Sequence, residues 1–136
     1  MKTLLIGYGN ALREDDGFGV FVARSLKKTR RYECMELFQL TPELAETIAR
    51  FDKAIFVDAN ADVSEGVFAV PLPKPESVFA HSLTPWSLLE TARKLYSAKT
   101  EYLIFSVGGR SFGYNENLTP PLKEAALKLI AYLKKN

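Results

Sequence analysis

The run Leu4-Leu5-Ile6-Gly7-Tyr8-Gly9, followed at once by Asn10-Ala11-Leu12-Arg13-Glu14-Asp15-Asp16-Gly17-Phe18-Gly19-Val20, leaves this chain few ways to fold. A short apolar segment ending in a glycine-bracketed turn reads as a buried strand. Residues 18–28 then place Val20, Phe21, Val22 and Leu26 close to one face, as a helix does. A strand that turns straight into a helix opens a parallel α/β sheet, and such sheets hold ligands at the carboxyl edge of their strands. Phosphate-binding loops at that edge present backbone N–H groups and basic side chains. This loop presents Glu14, Asp15 and Asp16 instead. An acidic tip repels a phosphate and attracts a cation, either a metal or a basic peptide.

The rest of the chain continues the alternation. Residues 3–6, 32–38, 53–57 and 102–107 are short, apolar and rich in β-branched or aromatic side chains, and 67–70 forms a further strand ahead of Pro71-Leu72-Pro73-Lys74-Pro75. Thr41-Pro42, Thr84-Pro85 and Thr119-Pro120 each read as an N-cap followed by proline at the first helical position. The last helix, 120–134, carries Leu122, Ala125, Ala126, Leu129, Ile130 and Leu133 at core spacing. The order β-α-β-α-β-β-α-β-α predicts a single α/β domain with a mostly parallel twisted sheet and helices on both faces.

At 136 residues the chain is one domain, long enough to bury roughly two-thirds of its unfolded surface. Its 18 basic and 16 acidic residues leave a net charge of +2, too balanced for a nucleic-acid binder. The clusters Lys27-Lys28-Thr29-Arg30-Arg31 and Lys134-Lys135 read as solvated helix ends, cations on the negative pole of a macrodipole. Cys34 is the single cysteine, so no internal disulfide forms and a reducing cytoplasm fits. The apolar run before Gly7 is too short for a signal peptide, and no stretch approaches the roughly 20 apolar residues of a membrane span. The expectation is a soluble cytoplasmic monomer with neither nucleic acid nor membrane as partner.

Gly7-x-Gly9-x-x-Leu12 begins like a dinucleotide fingerprint, with Glu33 and Glu36 at a plausible ribose distance, but Leu12 replaces the third glycine. No Gly-Lys-Ser/Thr follows, so there is no P-loop, and no Gly-x-Ser-x-Gly elbow supplies a serine nucleophile. Cys34 lies within a predicted strand, where an inert buried thiol is expected. Asp15 and Asp16 have an ordinary explanation as an N-cap and a first-turn acid, which accounts for one aspartate better than for two. Asp58 closes the apolar run Ala54-Ile55-Phe56-Val57 and falls on the same sheet edge as the first loop. His81, the one histidine, stands between the proline-rich loop and the Thr84-Pro85 helix start. Asp16, Asp58 and His81 can therefore converge as an O,O,N site with open positions.

Gly7-x-Gly9-Asn10-x-Leu12-x-x-Asp15-Asp16-Gly17-x-Gly19 resembles the amino-terminal signature of the hydrogenase maturation proteases, which trim the large subunit of nickel–iron hydrogenases. The resemblance continues through Gln39-Leu40-Thr41-Pro42-Glu43-Leu44-Ala45, Val57-Asp58-Ala59, His81 and Leu118-Thr119-Pro120, and so covers nearly the whole chain. The family commonly has a glycine shortly before the late Leu-Ser/Thr-Pro turn. Here Asn115-Glu116-Asn117 intervenes and Gly113 lies earlier. The resemblance implies a nickel-dependent, aspartic-type endopeptidase whose metal-contacting and catalytic residues fall on Asp16, Asp58 and His81. It also implies nickel supplied by the large-subunit precursor, whose carboxy-terminal extension is cut off. A water polarised by that metal is the expected nucleophile, with Glu14 and Asp15 as candidate helpers.

Overall fold

Alternating side chains on four short strands divide the apolar residues between two layers of helix. The computed structural model describes residues 2–65, 68–69, 83–109 and 111–135. Among these, strands β1 (Thr3–Tyr8), β2 (Glu33–Leu37), β3 (Lys53–Glu65), β4 (Phe68–Ala69) and β5 (Glu101–Gly108) form one sheet in the order β2-β1-β3-β5-β4. The first three and β5 pair in parallel, while the two-residue β4 runs antiparallel to β5 at the edge. The expected mostly parallel α/β sheet is therefore present.

Helices α1 (Phe18–Lys27) and α4 (Pro120–Lys135) cover one face. There Leu5, Ile55, Val57 and Val107 pack with Phe18, Val22, Leu26, Leu122, Ala126 and Leu129. Helices α2 (Leu44–Ala49) and α3 (Pro85–Tyr96) cover the other, where Leu4, Ile6, Phe56 and Ile104 meet Leu44, Ile48 and Leu88. Burying each such side chain contributes about 1.5–3 kcal/mol relative to leaving it in water. Neighbouring residues of β1, Leu4, Leu5 and Ile6, go to alternate faces, as a strand buried on both sides requires.

The three threonine–proline signals end differently. Thr84 caps α3 as expected: its hydroxyl accepts from Ser87 N at 3.1 Å, and Ser87 Oγ accepts from Thr84 N at 2.9 Å. Helix α4 begins at Pro120, as read from the sequence. Helix α2 does not start at Pro42. It begins at Leu44 after a turn in which Leu44 N donates to Thr41 O at 3.1 Å, so Thr41 is not its cap. The basic cluster near residue 31 does meet a helix end, since the Arg31 guanidinium donates to the Lys134 carbonyl.

The strand order sets the site. The chain leaves β1 through α1 to reach β2 on one side, then returns through α2 to β3 on the other side of β1. The strand order therefore reverses between β1 and β3, the place at which open α/β sheets hold their ligands.

Candidate active site

The carboxyl end of β1 is built by glycine. A Cβ on Gly7 would collide with the Gly19 carbonyl, so the start of α1 rests directly on the strand. Gly9 has φ +140°, and a Cβ there would strike the Asp16 carbonyl. The intervening loop folds into a 3₁₀ turn, Glu14–Gly17, which packs against β3.

The three acids of this turn do different work. Asp16 is half-buried, and its Oδ2 accepts from Asn10 N at 2.7 Å, closing the loop on itself. It is not the cap of α1: that position is Gly17, with no side-chain cap. Asp15 is wholly buried and accepts from Ser111 N at 3.0 Å, Thr119 N at 2.8 Å and Thr119 Oγ1 at 2.9 Å. Glu14 accepts from Ser111 Oγ at 2.9 Å and Gly113 N at 3.1 Å. Glu14 and Asp15 thus grip the 111–119 loop.

Asp58 lies within β3 rather than beyond it, because pairing with β5 continues past the apolar run: Asp58 stands opposite Ser106 and Ala59 opposite Val107. The Tyr8 hydroxyl donates to Asp58 Oδ2 at 2.9 Å. Burial raises the Asp58 carboxyl above the usual aspartate range; the Ser106 and Tyr8 hydroxyls pull it down, and the negative charge of Asp16 pushes it up. Ser106 Oγ is buried and completes no well-aligned hydrogen bond, so its influence on Asp58 comes from proximity. Burial, then the neighbouring Asp58, raise Tyr8 far above an ordinary phenol, which keeps it a neutral donor.

Among the described residues no lysine or arginine pairs with Asp16 or Asp58. The described residues contain no cluster of three metal-ligating side chains. His81, the third member of the expected set, lies outside the described residues, as do Val67, Val70 and the proline-rich segment. Cys34 is half-buried and burial pushes its thiol up to about 11, so it is no thiolate nucleophile.

Sequence reading missed Tyr8 and Ser106. Ser106 carries a signal in hindsight, a hydroxyl inside the apolar run Leu103-Ile104-Phe105-Ser106-Val107. Tyr8 carries none beyond its position between two glycines at a strand end.

Two carboxylates at the carboxyl edge of a parallel sheet, where its strand order reverses, mark an α/β domain with a candidate site at its switch point. Solved structures narrow that class. The chain is similar to the nickel–iron hydrogenase maturation protease HycI from Thermococcus kodakarensis, with 25% identity and TM-score 0.80 over 98% of this chain and 90% of that one. It is also similar to the hydrogenase 2 maturation peptidase from Thaumarchaeota archaeon SCGC_AB-539-E09, with 18% identity, TM-score 0.71 and 99% and 97% covered. The hydrogenase maturating endopeptidase HybD from E. coli matches at 22% identity and TM-score 0.65, with 99% and 93% covered. No family model and no curated protein sequence matches the chain. The family resemblance carried by the motifs thus holds in three dimensions: this chain has the fold of the hydrogenase maturation proteases.

Proposed function

We propose that this protein is an endopeptidase that removes the carboxy-terminal extension of a nickel–iron hydrogenase large-subunit precursor once nickel has been inserted. The observation that carries the reading is the Asp16–Asp58 pair. These carboxylates lie close enough for the charge of one to raise the pKa of the other, at the switch point of the sheet, with no cationic side chain paired to either among the described residues. Such a pair is costly to the folded protein and is relieved by an incoming cation. The similarity to maturation proteases supports nickel as that cation and a hydrogenase large-subunit precursor as the protein that bears it.

In this reading Asp16, Asp58 and His81 contact nickel carried by the precursor. Two carboxylates and a neutral imidazole form a hard, open donor set that holds a free divalent ion weakly and leaves positions for substrate. Nickel borne by the precursor supplies Lewis-acid polarisation at the scissile region. Tyr8 orients the Asp58 carboxylate through its hydrogen bond, and the Asn10 amide orients Asp16. The enzyme works as a cytoplasmic monomer on a protein substrate.

Incubation with nickel-loaded and nickel-free precursor, read by mass spectrometry, tests the proposal. The loaded precursor loses its extension and the apo form stays intact, while the purified enzyme carries little metal of its own. Equal cleavage of both forms, or about one tightly held zinc per chain needed for activity, overturns it in favour of an ordinary metallopeptidase.

A further inference from the structure

The buried carboxylate of Asp15 has no part in the site described above, yet it stands next to Asp16. It joins two segments about a hundred residues apart: the first loop and the 111–119 connection between β5 and α4. Further bonds run beside it, with Asp15 N donating to Ser111 O at 3.1 Å, Glu14 N to Asn115 O at 2.7 Å and Asn115 N to Leu12 O at 2.9 Å. The Arg13 guanidinium adds a bond to Phe112 O at 3.0 Å. A cap residue at Thr119 would ordinarily turn its oxygen to the first amides of the helix. Pro120 and Pro121 carry no N–H, which removes two of those donors and leaves the Thr119 hydroxyl to donate to Asp15.

We infer that Asp15 is a positioning residue for Asp16: by clamping the 3₁₀ turn to the 111–119 loop it fixes where the Asp16 carboxylate stands at the switch point of the sheet. The backbone supports the coupling. Asp16 follows Asp15 directly, and Asp16 N donates to Arg13 O at 3.0 Å, so the turn moves as one piece. Glu14 in the same turn has φ +46°, a left-handed conformation that a non-glycine residue holds only when its surroundings impose it. Two adjacent aspartates therefore divide into one that meets the substrate and one that aims it. The role as stated rests on the proposed proteolysis, whereas the placement of Asp16 does not.

Two measurements separate these. The first is amide hydrogen exchange of the full chain carrying Asp15→Asn, which turns an NH2 donor toward groups that are themselves donors. If Asp15 only anchors the late loop, the Ser111 and Thr119 amides lose protection and Asn10, whose amide is held by Asp16, keeps it. Positioning predicts that Asn10 also exchanges faster, by on the order of tenfold. Unchanged Asn10 protection overturns the inference, whatever the enzyme's substrate proves to be. The second measurement is processing of nickel-loaded precursor. A folded Asp15→Asn variant is expected to lose on the order of 100-fold in kcat with KM little changed, the signature of a displaced reacting group. Wild-type kcat in that variant overturns the role. Should Asp15→Asn fail to fold, Thr119→Val removes only the hydroxyl arm of the clamp. It should speed Asn10 exchange and lower kcat in the same sense, whereas Thr119→Ser restores both; a Thr119→Val protein with normal Asn10 protection and kcat refutes the inference.

Discussion

The two edges of the sheet handle acidic side chains in opposite ways. At the amino edge Asp52 is exposed, accepts from Lys2 N at 2.8 Å, and lies beside Phe51, over whose ring the Lys2 ammonium sits at 5.4 Å. Glu46 nearby is paired with Arg50 at 3.0 Å. At the carboxyl edge Asp58 is drawn out of water, bonded to the neutral Tyr8 phenol, and repelled by Asp16. Exposed, paired acids cost little and contribute little. A half-buried acid beside another acid costs stability unless a cation relieves it. The comparison separates ordinary surface charge from a candidate site, which a count of carboxylates could not do.

The sharpest way to break that contrast is to neutralise one acid at each edge. Asp58→Asn and Asp16→Asn should each lower precursor processing by on the order of 100-fold or more, by analogy with removal of a group that stabilises developing charge, while Asp52→Asn leaves processing near wild type. Time courses of precursor shortening read this directly. Normal processing by Asp16→Asn would return that residue to a purely local role.

Tyr8→Phe should have a smaller effect, on the order of tenfold, typical for loss of a partner that orients a ligating carboxylate. Because the Tyr8 hydrogen bond lowers the Asp58 pKa, its removal should also move the acidic limb of the pH–rate profile to higher pH. A drop in rate with no such movement would separate Tyr8 from Asp58.

Stability should respond in the opposite sense to activity. The folded-state pKa of Asp58 lies above its unfolded value, so the native protein holds this proton more tightly than the unfolded chain does. The stabilisation that protonation provides is complete below the ordinary aspartate range and is lost as pH rises through the raised folded value. Asp58→Asn cannot lose it. Relative to wild type, that variant should gain thermal stability on going from acidic to neutral pH, provided the amide finds the same hydroxyl partners. Parallel melting curves at several pH values check the sign.

The smallest effect is expected at the amino edge. Arg50→Ala breaks an exposed pair four residues apart on α2 and should change stability by about 0.5 kcal/mol or less. Chemical denaturation would expose a larger role if one exists.

Much of this architecture could be read in one dimension. The strand and helix order follows from local patterns: short continuous apolar runs for the strands, the core spacing of Leu122 through Leu133, and the Thr84-Pro85 helix start. Thr41-Pro42 carries the same local signal as Thr84-Pro85 and fails, because propensity is a weak force that the packing of Leu44, Ala45 and Ile48 against the sheet overrides. Asp16 and Asp58 were legible as candidates because each follows an apolar run that ends at the same edge, a regularity of the chain itself. The sequence could place three acids on one loop, but it could not say that Glu14 and Asp15 turn toward the 111–119 loop while the charge of Asp16 acts on Asp58. Nor could it find Tyr8 beside Asp58, since the two meet only when β1 and β3 pair in register, Gly7 against Val57. Local free energies are written residue by residue and survive in the sequence. Hydrogen bonds and charge interactions between residues 50 to 100 positions apart exist only after the chain has closed, so their partners are decided by the tertiary structure alone.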